Sequence, residues 1–373
     1  MKVPAIFSFF AGAGFLDLGF EKSGYDVVYV NEYHAPFVDA YRHSRRVMAL
    51  PGPKFGYDCR SISDVAAFEI KTLMETARGD DQIVGFIGGP PCPDFSVGGK
   101  NKGQEGDNGR LSQVYVDLVC AAKPDFFLFE NVKGLYRTRK HRAFFDGLKE
   151  KLRNGGYNLH ERLINSIEYG APQDRERIIL LGFRDDQLPE TFLWTGRQFP
   201  GKIAFGYDWP QTSPFSPDAK VPRPNSLPLE LTVQHWFEKN RVGTHPNAKH
   251  AFKPRAGLAR FLAVQEGDDS KKSYKRLHRW RYSPTAAYGN NEVHLHPYLA
   301  RRLSVAEALA IQSLPSEFEL PPHMTLSNMF KTVGNGVPYL AAVGLATAIL
   351  NHLGVRNADH SAELGASNTR TAA

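Results

Sequence analysis

Residues 5–14 have the sequence AIFSFFAGAG, an apolar run that ends in two closely spaced glycines. The run Ala5–Phe10 predicts a buried first strand, and Phe15–Lys22 after the glycines predicts a helix. Glycine lets the backbone turn tightly and approach a ligand closely. We therefore expect a strand, a ligand-binding loop and a helix at the start of an α/β fold.

The same alternation of short apolar runs and longer mixed segments continues to about residue 184. Further strands and helices are predicted at Val27–Val30, Ile83–Ile87, Leu111–Ala122, Phe126–Phe129, Arg142–Arg153 and Ile178–Phe183. Strands that alternate with helices indicate βαβ units. The expected fold class is α/β and Rossmann-like, with a mostly parallel sheet and helices on both faces.

The segment from about residue 190 to 285 has a different composition. Prolines break any long element in it, among them Pro200, Pro210, Pro214, Pro217, Pro222, Pro224 and Pro228. Between Lys239 and Arg281 there are 12 Lys or Arg residues against three acids, in a chain of net charge +7. This predicts a second, smaller and more irregular domain with a phosphate-contacting face, although a merely solvated surface has the same composition.

Two more helices are predicted towards the C-terminus. Ser304–Ser313 starts with a good N-cap, and Glu307 completes a capping box. Pro338–Leu353 is a final apolar helix, and the polar tail after Gly354 is expected to be disordered.

Cysteine usage and hydropathy exclude several classes of protein. Cys59, Cys92 and Cys120 form no CxxC pair, which argues against a disulfide framework and a structural zinc site. No stretch approaches the roughly 20 apolar residues that span a bilayer. The apolar run after Lys2 lacks a cleavage region, so we predict no targeting signal and a cytoplasmic, nucleoid-associated protein.

Acidic residues after the second and third strand regions predict a nucleoside site. Glu32 lies 20 residues beyond Gly12, where a carboxylate can bind ribose hydroxyls, and Asp64 could accept a hydrogen bond from an adenine amino group. The dinucleotide fingerprint GxGxxG is incomplete because position 17 is Asp. A cofactor without a pyrophosphate, such as S-adenosylmethionine, suits this loop better than a nicotinamide dinucleotide.

Three segments carry candidate chemistry at the carboxyl ends of later strands. Cys92 follows Gly88-Gly89-Pro90-Pro91, where a rigid turn suits a nucleophile, although a buried cysteine is possible. Glu130 follows the strand Asp125–Phe129, so partial burial should raise its pKa; a capping or ribose-binding role is the alternative. Three side chains with hydrogen-bond donors share one face of an extended segment: Gln173, Arg175 and Arg177. The alternative interpretation of this segment is a charged edge strand.

These groups together allow one particular reaction. Carbon 5 of cytosine is a weak nucleophile, and addition of a thiolate to carbon 6 converts the ring into an enamine. A carboxylic acid at ring nitrogen 3 and an arginine at oxygen 2 stabilise the developing charge. Because carbon 6 is inaccessible in stacked duplex, the base must flip out.

In order along nearly the whole chain, the sequence resembles the bacterial DNA (cytosine-5)-methyltransferase family. The matching segments are Phe10-Ala11-Gly12-Ala13-Gly14, Glu32, Asp64-Val65, Pro90-Pro91-Cys92, Glu130-Asn131-Val132, Gln173-x-Arg175-x-Arg177, Arg301-Arg302-Leu303-Ser304 with Glu307 and Gln312-Ser313-Leu314-Pro315, and Gly334-Asn335-Gly336-Val337-Pro338. Some of these motifs are generic on their own, but their joint order and spacing are highly specific.

The resemblance implies a methyl transfer from S-adenosylmethionine to DNA and assigns residues to it. Residues 1–187 and 325–354 would form the catalytic domain, 188–324 the target-recognition domain and hinge, and 355–373 a tail. The implied catalytic residues are Cys92, Glu130, Arg175 and Arg177, and the implied cofactor residues are Phe10, Ala11, Gly12, Ala13, Gly14, Glu32, Asp64, Val65, Pro90, Leu111, Asn335 and Val337. The candidate DNA contacts are Ser96, Lys100, Lys102, Gln173, Lys271, Lys272, Lys275, Arg276, Arg279 and Arg281.

The implied partner is double-stranded DNA, bound by a monomer with no membrane contact, and the candidate protein partners are a cognate restriction endonuclease or other defence proteins. Residues 95–111 correspond to the mobile loop that closes over DNA, and their glycines suit a lid. No metal ligands are expected.

The sequence departs from the family pattern at Ser8, Phe15, Thr332 and Gly336, where an acid, glycine, glutamine and serine are usual. None of these positions belongs to the catalytic trio of Cys92, Glu130 and Arg177. Rival interpretations are a tRNA cytosine-5 methyltransferase on the same scaffold and a catalytically silent DNA-binding protein.

Overall fold

The computed structural model describes residues 3–79, 82–91, 107–184, 188–217, 219–254, 257–271, 273–285, 288 and 293–355. Its main sheet has seven strands in the order β3-β2-β1-β4-β5-β7-β6. These strands are β1 (Ala5–Phe9), β2 (Asp26–Asn31), β3 (Tyr57–Asp58), β4 (Val84–Gly88), β5 (Phe126–Val132), β6 (Asn158–Asn165) and β7 (Glu176–Phe183). Neighbours from β3 to β5 are parallel, and β7 is antiparallel to both β5 and β6. The predicted α/β fold with a mostly parallel sheet is confirmed.

Strand order reverses beside β1, which pairs with β2 on one side and β4 on the other. The loops after β1 and β4 therefore leave the sheet on opposite faces and open a crevice between them. In open parallel sheets, ligands bind in the crevice at such a switch point. The glycine loop after β1 and the Pro90-Pro91 turn after β4 border it.

Helices cover both faces of the sheet. They are α1 (Phe15–Lys22), α2 (Ala35–Val47), α3 (Ala67–Arg78), α4 (Asp107–Ala122), α5 (Lys133–Arg137), α6 (Arg139–Asn154), α10 (Leu326–Asn335) and α11 (Tyr339–His352). Alternate side chains of β1 pack on opposite faces of the sheet: Phe7 lies in one apolar cluster and Ile6 in the other. At the crossing of α1 with α11, a Cβ on Gly19 would lie 2.4 Å from the Cβ of Ala342, so only glycine allows this close contact.

The basic second half contains little regular structure, as predicted. In its described residues, the α-helices and strands are α7 (Val233–Lys239), α8 (Leu258–Ala263), β8 (Tyr274–Arg276), β9 (Val293–Leu295) and α9 (Val305–Ile311). The capping box at Ser304 and Glu307 is present at the start of α9. Leu309 and Phe330 share an apolar cluster with Phe15 and Leu18 of α1, which anchors the end of this region to the main sheet.

The stretch Leu326–His352 is apolar and long enough to cross a membrane by length and composition alone. The expectation that no such stretch exists was therefore wrong. The stretch consists of two helices, since α10 ends at Asn335 and α11 starts at Tyr339, with Gly336 as the C-cap between them. Most of its apolar part is buried inside the protein. Most of α11 is inaccessible to solvent.

Candidate active site

The carboxyl ends of the parallel strands gather the predicted cofactor residues on one edge of the sheet. Phe10 and Gly14 follow β1, Glu32 follows β2, and Pro90 follows β4. Phe10, Gly12 and Gly14 all have positive φ angles, of 54°, 58° and 75°. The loop is therefore a tight turn in the left-handed region, which favours glycine at two of these positions.

The two glycines of the loop have different surroundings. A Cβ on Gly14 would lie 2.4 Å from the ring of Tyr41, whereas a Cβ on Gly12 would meet nothing within 4 Å. Gly14 is thus fixed by protein packing, and Gly12 borders open space. Beneath the loop, the buried guanidinium of Arg45 donates a 2.7 Å hydrogen bond to the carbonyl of Gly14.

Glu32 is held in place by backbone donors. Its carboxylate accepts hydrogen bonds from the Gly12 amide at 2.8 Å and the His34 amide at 2.7 Å. A carboxylate has about four acceptor positions, so two remain for ribose hydroxyls. Tyr33, beside Glu32, is 74% exposed and was not predicted as a site residue. The signal in the sequence is an aromatic residue directly after the acid that follows β2.

Four more of the predicted cofactor residues differ in their exposure to solvent: Asp64, Leu111, Asn335 and Val337. Asp64 ends a 3-10 turn, Ile62–Asp64, with its side chain exposed. Leu111 is half-buried on α4, Asn335 is exposed at the end of α10, and Val337 is buried. Any cofactor contact by Val337 would have to use its backbone.

Glu130 is the buried acid that the sequence predicted, but it lies within β5 rather than after it. It is only 8% exposed, and the Nε of Arg177 lies 2.9 Å from its Oε1. Burial raises the pKa of Glu130, and the charges of Arg177 and Arg175 lower it. The net pKa shift is upward, which suits a group that donates a proton.

Glu130 and its neighbour connect β5 to the turn that precedes Cys92. The side-chain amide of Asn131 donates a 3.3 Å hydrogen bond to the carbonyl of Pro90. A Cβ on Gly89 would lie 2.8 Å from the Oε2 of Glu130. The Gly-Gly-Pro-Pro turn therefore comes directly against the acid.

Gln173, Arg175 and Arg177 are brought to the same region, although β7 starts only at Glu176. Arg175 is buried and donates a 2.7 Å hydrogen bond to the carbonyl of Gly334 at the end of α10. Gln173 is also buried, and within the described residues its two side-chain amide atoms have no hydrogen-bond partner. Its environment is thus suited to a further polar group.

A family model described as C-5 cytosine-specific DNA methylase matches residues 5–352. The chain belongs to this family. A Type II methyltransferase of Neisseria meningitidis serogroup C, M.NmeDI, is 60% identical over 94% of this chain and 84% of its own length. M.XorII of Xanthomonas oryzae pv. oryzae, also a Type II methyltransferase, is 31% identical over 95% of this chain and 86% of its own length.

Solved structures support the same fold. A protein described as a DNA modification methyltransferase encoded within an E. coli prophage superposes with a TM-score of 0.67 at 21% identity, covering 94% of this chain and 99% of that one. A DNMT2 variant from Spodoptera frugiperda gives 0.58 at 17% identity over the same shares. The enzyme is therefore a DNA methyltransferase acting on carbon 5 of cytosine, and the family implies S-adenosylmethionine as the methyl donor.

Several predicted residues of this DNA methylase lie outside the described part of the chain: Cys92, Ser96, Lys100, Lys102 and Lys272. Of the predicted lid, 95–111, the structure describes only 107–111, as the first residues of α4. The assignments of these residues stay predictions.

Among the candidate DNA contacts of the DNA methylase, Arg276 and Arg279 require a correction. Arg276 is 0% exposed and donates to backbone carbonyls of Phe261, Val264, His296 and Leu299. The guanidinium of Arg279 is paired with buried Glu266 at 2.8 Å. Both guanidinium groups join segments of the chain around them and are not available to phosphates, because their donors are used inside the protein.

Of the other described candidates, Gln173 is buried, whereas three cations remain accessible. Lys271 is exposed, and Lys275 and Arg281 are partly exposed. Arg281 has Asp269 at 3.4 Å, an ion pair that a phosphate could replace. Charge clustering in the sequence thus indicated the correct region but could not separate internal cations from surface cations.

Proposed function

We propose that this enzyme methylates carbon 5 of a flipped-out cytosine in a specific duplex sequence through a covalent bond between Cys92 and carbon 6. The observation that supports this most is the buried pair of Glu130 and Arg177 against the turn before Cys92. Its Type II relatives suggest the modification activity of a restriction–modification system in the cytoplasm. A cognate endonuclease as partner, and a monomeric state, belong to the same proposal.

In the proposed reaction, the Cys92 thiolate adds to carbon 6 while Glu130 donates a proton or hydrogen bond to ring nitrogen 3. Arg177 binds oxygen 2 and, with Arg175, compensates the charge that develops on the ring. Carbon 5, now enamine-like, takes the methyl group; the bond broken would be the one between this methyl and the sulfonium sulfur of the bound donor, which would leave S-adenosylhomocysteine as product. Loss of the carbon 5 proton to a base then expels the thiolate and restores the aromatic ring.

The hydrogen-bond acceptors and the open space among the predicted cofactor residues fit S-adenosylmethionine. Glu32 retains acceptor positions for ribose hydroxyls, Asp64 presents an exposed carboxylate to an adenine amino group, and Gly12 borders open space. We add Tyr33 as a stacking surface for the adenine. When bound, the cofactor supplies an electrophilic methyl group. The remaining predicted contacts are Phe10, Ala11, Ala13, Gly14, Val65, Pro90, Leu111, Asn335 and Val337.

Bisulfite sequencing of DNA from cells that express the enzyme tests the reaction. We expect modified cytosines in one recurrent context with the wild type and none with Cys92→Ala. Arg153→Ala, an exposed change at the far end of α6, is the matched control and should keep full activity. Absence of new modified cytosines with the wild type would refute DNA methylation, and modification of tRNA instead would favour the rival substrate.

A second experiment separates the two halves of the mechanism. With 5-fluorocytosine at the target position, the carbon 5 proton is missing, so the enzyme should form a covalent adduct that survives denaturation. Glu130→Gln should slow adduct formation by about 10²–10⁴-fold, since it removes proton donation but leaves the thiol. Methylation of normal DNA without any adduct would rule out the role of Cys92.

A further inference from the structure

A run of cations follows the catalytic acid along the chain and has no role in the reaction described above. Residues 133–142 have the sequence KGLYRTRKHR, with five Lys or Arg residues and no acid. The run forms α5 and the first turn of α6. We call residues 133–142 the α5–α6 corner.

The α5–α6 corner lies on the active-site edge of the sheet. α5 begins at Lys133, directly after Val132, and Val132 is paired with Arg177 across β5 and β7. Glu176, beside Arg177, forms ion pairs with Lys133 and with Arg137. α6 then runs towards the opposite edge, and its 16 residues span about 24 Å.

The start of α6 is poorly designed for helix stability. Its N-cap, Thr138, makes no side-chain capping bond, and its first turn contains cations and no acid. The positive end of the helix dipole disfavours cations there. A sequence that violates local rules in this way is expected where a side chain serves a function.

Internal acids neutralise only part of the α5–α6 corner: Lys133 is paired with Glu176. Arg142 is paired with Asp146 and Glu161, each at 3.5 Å. Arg137, in contrast, is mostly exposed with its acid at 3.7 Å, and Arg139 is exposed with no acid within 4 Å among the described residues. Two accessible guanidinium groups thus lie next to the edge that receives the flipped cytosine.

We propose that the α5–α6 corner binds DNA backbone phosphates beside the target cytosine, with Arg137 and Arg139 as the contacts. The partner is duplex DNA because the established substrate is a polyanion whose phosphates must pass over this edge when the base enters the site. Such contacts orient the duplex without sequence information. The surface is separate from the cations of the small domain, so it adds a second point of attachment.

The test compares Arg137→Ala/Arg139→Ala with Arg153→Ala, an exposed cation in the last turn of the same helix. Fluorescence anisotropy gives the Kd for a duplex that contains the target site, over a range of salt concentrations. Each lost phosphate contact lowers the slope of log K against log salt by about 0.9, so we expect a drop of one to two for the double variant. Its Kd should rise about tenfold near physiological salt, and Arg153→Ala should match the wild type.

Two further readouts exclude a purely structural effect. Arg139→Ala should leave Tm equal or higher, since a cation is removed from the positive helix end. The kcat at saturating DNA and the methylated sequence should be unchanged. An unaltered salt slope, or weaker binding together with a lower Tm, would overturn the proposal.

A partner other than DNA is also distinguishable. If the double variant retained DNA binding but lost binding to polyglutamate, the surface would belong to an acidic protein and the proposal would be wrong. Methylation by the wild type in the same preparation separates either outcome from failure of the proposed reaction.

Discussion

Asp17 is a buried acid beneath the cofactor loop that no predicted role included. Ser8 donates a 2.9 Å hydrogen bond to the Oδ1 of Asp17. The positive charge of Arg45 favours the ionised form of Asp17. Burial nevertheless raises the pKa of Asp17 to about 7. Ser8 occupies the position where an acid is usual in the family, so this pocket holds one carboxyl group in place of two that would repel each other.

Asp17 should make stability depend on pH in a defined window. Between about pH 4 and pH 7 the folded state keeps the Asp17 proton and the unfolded state has lost it, so the free energy of unfolding falls as pH rises. The fall is about 1.4 kcal/mol per pH unit, or about 4 kcal/mol across the window. In Asp17→Asn, which keeps the bond to Ser8, this component should vanish.

Urea unfolding at pH 5 and pH 8 measures the difference. Asp26→Asn, an exposed carboxylate at the start of β2, is the control and should behave like the wild type. The same pH slope in the wild type and in Asp17→Asn would show that Asp17 is not the titrating group.

At the scale of secondary-structure elements, two departures from the family pattern are in contact. Phe15 begins α1, and Gly336 is the C-cap of α10. A Cβ on Gly336 would lie 2.2 Å from the ring of Phe15, so the ring fills the space that a serine side chain would occupy. The unusual phenylalanine and the unusual glycine therefore compensate each other.

This compensation predicts strong coupling in a double-mutant cycle. Gly336→Ser alone should lower the free energy of unfolding by about 1–3 kcal/mol through overpacking, and Phe15→Ala alone by about 3–5 kcal/mol through a cavity. The double variant should lose at least about 1 kcal/mol less than the sum. Gly243→Ser, at an exposed glycine with nothing within 4 Å, should change little. Additive effects of the two changes would contradict the contact.

The elements that the sequence predicted well are those with a local apolar signal. The helix Phe15–Lys22 has the predicted bounds, because its apolar face repeats along one short segment. β6 was not predicted, since it is an edge strand with mostly half-buried, partly charged residues. β5 continues through Glu130 and Asn131 because it pairs with β7, and the chain around Glu130 carries no sign of that distant partner.

The site was predictable by residue type and strand position, but its contacts were not. The carboxyl ends of parallel strands meet at one edge, so Glu32 and Glu130 could be assigned to it in advance. The contact of Arg175 with Gly334 joins positions 159 residues apart, which only the folded chain reveals. Likewise, a count of cations could not show that Arg276 is internal.

At the scale of the whole molecule, positive charge has two separate uses in the basic segment 239–281. Arg276 is fully buried, and burial lowers the pKa of its guanidinium to about 10. Its donors cross-link the segments around α8, β8 and the loop after β9 through backbone carbonyls. Lys271 is exposed on the surface, where a cation can contact DNA.

Stability and DNA affinity should therefore respond to different cations of one basic cluster. Arg276→Met should lower the free energy of unfolding by about 3 kcal/mol or more, because it leaves buried carbonyls without donors. Arg276→Lys should restore little of this, since an ammonium group cannot reproduce the planar set of donors. Lys271→Ala should leave Tm unchanged and reduce the salt slope of DNA binding by about 0.9. Thermal unfolding measures the effect on stability, and salt-dependent anisotropy measures the effect on DNA binding. An Arg276→Met enzyme with unchanged stability and weakened DNA binding would show that Arg276 contacts the DNA.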